Sequence, residues 1–187
     1  MDDLLRGPGA TSFSTRLDRW VAEARIDEAA LGRARERWLR EVADQEATFG
    51  GVLMDLAERA APVAIHVQGG RRLHGTIRVI GADFVAVDLT TGAAVLVATR
   101  AITQVRTAPH VRSTVGDRLV RTELRLTDVL SELAADRERI AVVTGGGDTI
   151  AGELRSVGHD VVVLRTDAAQ PASAYVPVPT IDEVLIG

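Results

Sequence analysis

The stretch GTIRVIGADFVAVDL, residues 75–89, returns as GELRSVGHDVVVLRT, residues 152–166. Under a shift of 77 residues, Gly75 meets Gly152, Arg78 meets Arg155, Gly81 meets Gly158, Asp83 meets Asp160 and Val85 meets Val162. The apolar positions agree as well: Val63 with Ile140, Ile65 with Val142, Leu73 with Ile150, Ile77 with Leu154. Upstream, Val52, Leu53, Leu56 and Ala57 meet Val129, Leu130, Leu133 and Ala134. Downstream, two extra residues enter the second copy, after which Ile102 and Val105 meet Ile181 and Val184. Glycines and hydrophobes repeated together at fixed places mark an internal duplication, each copy one folding unit.

Each copy reads the same way. A short apolar-periodic helix comes first, over residues 50–59 and again over 128–136. Alternating runs follow, PVAIHV or RIAVVT, then a glycine-rich turn, then RRLHGTIRVI or its counterpart with a glycine at mid-strand. Such a glycine permits the sharp bend of a barrel corner. FVAVDL or VVVLRT, AVLVA or SAYVP, and AITQV or TIDEV complete five strands. One helix and five short, bent strands predict a small barrel. The first 50 residues match neither copy. Ser14 or Thr15 is placed to cap one helix and Asp27 a second, with Leu31, Ala34, Trp38, Leu39 and Val42 on one stripe. The expected fold is therefore α+β and mainly β: an N-terminal helical hairpin (1–49), a first SH3-like five-stranded barrel (50–107), a connector (108–126) and a second barrel (127–187), each barrel preceded by its short helix. With aromatics at 3%, the core must be built from Val, Ile, Leu and Ala.

The composition excludes several classes. There is no cysteine, hence no disulfide or thiolate metal site. No run of about 18 apolar residues offers a membrane span, and the N-terminus lacks a secretory pattern, so the expected location is cytoplasmic. GGG at 145–147 joins two strands rather than opening a helix, so it reads as a hairpin turn and not a phosphate loop. His66 and His74 flank the first hairpin but lack a third ligand for zinc. Asp83 and Asp160 follow turn glycines and read as turn caps rather than a catalytic pair. No G-x-S-x-G signature occurs. Neither an enzyme, a metal nor a cofactor is expected.

Val67, Gly70, Leu73, Gly75 and Ile77, followed by Phe84-Val85, resemble the first motif of the Sm-like (LSm/Hfq-like) family, closest to its bacterial RNA chaperones. Ala101-Ile102-Thr103-Gln104-Val105 resembles that family's final strand. The chain departs from the pattern by one residue inserted between the second and third strands. It also carries Thr99-Arg100 where the chaperones carry Lys-His, and holds two units in one chain. The resemblance implies a non-enzymatic RNA-binding protein that contacts single-stranded RNA through the first copy. Arg71, Arg72, His74, Arg78, Phe84 and Arg100 are the implied contacts: Phe84 stacks on a base, and Arg100 lies at the pore. The second copy has Val161 and Pro179 at the positions of Phe84 and Arg100. Charge divides the same way, with +5 over residues 61–125 and −6 over 126–187.

The residues also support an assembly module without a nucleic-acid ligand. In that reading Phe84 is core, the first copy's arginines neutralise the acidic second copy of a neighbouring subunit, and open edge strands pair into a homo-oligomer. The helical hairpin would then recruit a protein partner. A DNA-associated regulator built on that hairpin is a third reading, opposed by its acidic helices.

Overall fold

The computed structural model describes residues 8–112, 114–116, 118 and 122–186, which fall in two compact units, one up to residue 46 and one from residue 47 onward. The first unit is one α-helix, α1 (Pro8–Glu46), of 39 residues. The expected hairpin is thereby corrected. No proline occurs between Pro8 and Pro62, and Ala-, Arg- and Glu-rich turns surround Asp27, so nothing stops the helix there. Trp20, Leu31, Trp38 and Leu39 are exposed along it.

The second unit holds both copies. α2 (Phe49–Glu58) is followed by β1 (Pro62–Val67), β2 (Arg72–Ile80), β3 (Phe84–Leu89), β4 (Ala94–Ala98) and β5 (Ile102–Thr107). α3 (Leu126–Ala135) is followed by β6 (Arg139–Thr144), β7 (Thr149–Val157), β8 (Val161–Thr166), β9 (Ser173–Pro177) and β10 (Ile181–Ile186). Corresponding elements have equal lengths. The offset is 77 through β8 and 79 from β9 onward, because residues 167–172 replace the shorter link 90–93. The details repeat too. β2 and β7 lose register at Arg78 and Arg155, and such bulges sharpen strand twist. A Cβ on Gly75 would stand 2.1 Å from the Asp88 carbonyl oxygen, and one on Gly152 2.2 Å from that of Arg165. Only glycine lets these strands bend so closely over their neighbours.

The expected pair of separate five-stranded barrels is corrected. All ten strands form one antiparallel sheet, in the order β5-β1-β2-β3-β4-β10-β6-β7-β8-β9. The last strand of the second copy pairs with β4 of the first, Val184 opposite Leu96 and Ile186 opposite Ala94, and fuses the halves. Backbone groups at a strand edge seek partners, and here each half supplies what the other lacks.

Two apolar clusters lie along this sheet. The first joins Leu53 and Leu56 of α2 to Val63, Ile65, Leu73, Ile77, Val85 and Val97. The second joins Leu126 and Leu130 of α3 to Ile140, Val142, Leu154, Val162 and Val184, and it includes Phe84 and Leu96 from the first copy. The connector returns over α2: Gly116 donates to Asp55 Oδ2 at 3.1 Å and accepts from the Thr48 N–H at 2.8 Å.

Candidate assembly interface

The contact between the copies has four parts. The first is the β4–β10 ladder. The second is a carboxylate at a helix start: Asp83 Oδ1, in the turn before β3, accepts from the Leu126 N–H of α3 at 2.8 Å, beside an Ala82 N–H to Leu124 carbonyl bond of 2.7 Å. The third is apolar, with Phe84 and Leu96 pressed into the second cluster at 1% and 5% exposure. The fourth is ionic. Arg100 donates to Asp182 Oδ1 at 2.9 Å and also to the Ile181 carbonyl. Arg71 lies 3.2 Å from Glu183 Oε2.

That fourth part is electrostatically demanding. Asp182 and Glu183 are buried, and Asp182 Oδ2 and both Glu183 oxygens have no hydrogen-bond partner among the described residues. Burial, opposed by Arg71 and reinforced by Asp182, pushes the Glu183 carboxyl above its ordinary value.

The six sequence-predicted RNA contacts are thus dispersed. Arg71 and Arg100 are engaged with acids of the second copy. Phe84 is core. Arg78 pairs with Asp88 at 3.3 Å. Arg72 and His74 stand on the outer face of β2, exposed. There His66 and Arg106 join them, for the register sets His66 opposite Arg72, and Ala64 opposite both His74 and Arg106. Partial desolvation and the charges of Arg72, Arg106 and His74 hold His66 below the usual histidine value. Among the described residues no group of three metal-ligating side chains occurs, and no helix is long and apolar enough to cross a membrane.

Two strands remain at the ends of the sheet, β5 and β9. In the duplication β5 corresponds to β10, and β9 to β4. The sheet therefore ends in the two strand types that the chain joins internally. What the internal contact buries, the ends expose. Tyr175, counterpart of Leu96, is 70% exposed, and Phe49, counterpart of Leu126, is 44% exposed.

The chain matches no family model, no curated protein and no solved structure.

The sequence singled out neither Asp182, Glu183 nor Tyr175. A signal for the acids was present: the first copy reads ITQV where the second reads IDEV, and the arginines opposite them occur only in the first copy. Tyr175 is the chain's one tyrosine, and it lies on a strand whose other residues are small or aliphatic.

Proposed function

We propose that this chain is a non-catalytic assembly module that joins copies of itself head to tail, β9 of one copy pairing with β5 of the next. One observation carries the reading: the two open strands occupy the repeat positions of the two strands that pair within the chain. Strand alternation supplies the backbone groups. Ala172 bonds back to Thr166, so Ser173 and Tyr175 direct their N–H and C=O outward. His66 and Ala64 face β5 and meet Gln104 and Arg106, which leaves Val105 and Thr107 pointing outward. The expected register sets Tyr175 against Val105 and Ser173 against Thr107, by transfer from the internal ladder. Light scattering on the full chain across a concentration series is expected to give masses that are multiples of 19.9 kDa. Thr107→Pro, which removes an outward N–H at an exposed strand end, is expected to lower the mass while leaving the fold intact. A single-chain mass at every concentration overturns the reading.

A second reading is contact with single-stranded RNA through the outer face of the first copy. It is supported by the grouping of Arg72, His74, His66 and Arg106 around Ala64. Phosphate contacts make affinity fall with salt. Arg72→Glu with Arg106→Glu is expected to abolish oligonucleotide binding, whereas Arg155→Glu with Arg165→Glu leaves it in place. No binding by the parent chain at low salt removes this reading.

A further inference from the structure

Resting on the head-to-tail reading, we infer that Tyr175 of one copy seats in an apolar recess of the next. That recess has a volume of about 340 Å³, and Phe49, Val52, Leu56 and Val105 line it beside the connector's Arg112 and Thr114. The internal contact supplies the template. There Leu96, opposite Val184, belongs to the second cluster with Leu126 and Leu130, and Val129 and Leu133 pack against that cluster. Moved back by the repeat offset, Leu126 becomes Phe49, Val129 becomes Val52, Leu133 becomes Leu56 and Val184 becomes Val105. These are the apolar residues of the recess. Moved forward, Leu96 becomes Tyr175 at the opposite end of the sheet. Among the described residues Tyr175 and the Phe49 rim of the recess are exposed, and each has the form that its counterpart completes.

The side-chain directions agree. Val176 and Ala174 face the second cluster, so Tyr175, between them, points away from its own half, as Leu96 does between Val95 and Val97. Val105 packs with the first cluster. Tyr175 laid opposite Val105 therefore reaches that cluster from outside. The helix-start contact has its counterpart as well. Asp160, exposed in the turn before β8, corresponds to Asp83, and the Phe49 N–H corresponds to that of Leu126. Asp160 is thus placed to accept from Phe49 of the next copy.

The ionic part alone is not repeated. Asp148 and Pro179 stand where Arg71 and Arg100 stand, and Thr103 and Gln104 where Asp182 and Glu183 stand. The charges belong to the internal contact. They keep β4 for its own β10 and leave the contact between copies without these two ion pairs.

The test uses the full chain, whose lack of cysteine makes introduced thiols unambiguous. Tyr175→Ala is expected to raise the dissociation constant of assembly about ten- to hundredfold, the effect of leaving one large apolar side chain unburied. Its thermal midpoint, measured where the chain is a single copy, should not move, because the ring contributes nothing to its own fold. Tyr175→Phe should assemble as the parent does. Ala174→Cys with Arg106→Cys places two thiols at a pair without mutual hydrogen bonds, where backbones approach to about 4.5 Å. Oxidation should give a ladder of covalent oligomers, and Ala174→Cys with Thr103→Cys should give none. A parent that assembles while Tyr175→Ala assembles equally well overturns the recess and leaves head-to-tail pairing standing. A parent that never assembles overturns both.

Discussion

Glu183 carries a charge into the middle of the sheet, and its cost can be read with pH. The folded chain holds this carboxyl's proton to higher pH than the unfolded chain does. The penalty is therefore absent at acid pH, below the unfolded value. It grows as pH rises through the carboxylate range and is complete above the folded value. Glu183→Gln is expected to stabilise the chain at neutral pH, and denaturant midpoints across a pH series should show that gain vanish on acidification. Arg71→Ala acts in the opposite direction. It leaves the buried carboxylate without its counter-charge and should cost about 1–3 kcal/mol at neutral pH. A second pair of residues is strained rather than charged. Ala60 and Arg137 close α2 and α3 with φ of 45° and 55°, at matching places in the two copies. L-residues pay to adopt this conformation and glycine does not, so Ala60→Gly and Arg137→Gly should each raise stability by about 0.5–1 kcal/mol in urea titrations. Neither strain was visible in the sequence, because alanine and arginine carry no sign of left-handed backbone.

At the scale of elements, the strands were legible and their partners were not. Val63, Ile65 and Val67 alternate with exposed or half-buried neighbours as the apolar pattern required, and Gly75 marked the bend. The β4–β10 ladder joins residues about 90 positions apart, and no local period encodes such a pairing. The same limit affected the candidate site. Phe84 and Arg100 were correctly seen as belonging to one copy alone, but only the ladder shows that Phe84 completes the second core and Arg100 meets Asp182. At the N-terminus, two good capping residues suggested two helices, whereas continuous helix-forming sequence gave one. Gly32 is the weak point of that helix, and a Cβ there meets nothing within 4 Å. Gly32→Ala should stabilise α1 locally by about 1 kcal/mol, seen as roughly fivefold slower hydrogen exchange of the amides around it.

Across the whole second unit, each core takes residues from the other copy, Phe84 and Leu96 in the second and Leu185 against the first, so neither half should unfold alone. Phe84→Ala is expected to cost about 3–5 kcal/mol. Although Phe84 belongs to the first copy, the loss should accelerate exchange at the α3 amides, because Leu126 and Leu130 pack in the same cluster. Loss of protection confined to the first copy would refute that coupling. The internal ladder also constrains any closed assembly through parity. Because two halves are bound in every chain, a ring closed by β9 on β5 contains an even number of halves, and rings with an odd number cannot form. Its rotational order is half the number of five-stranded halves, since junctions within chains, which carry the two ion pairs, alternate with junctions between chains, which lack them.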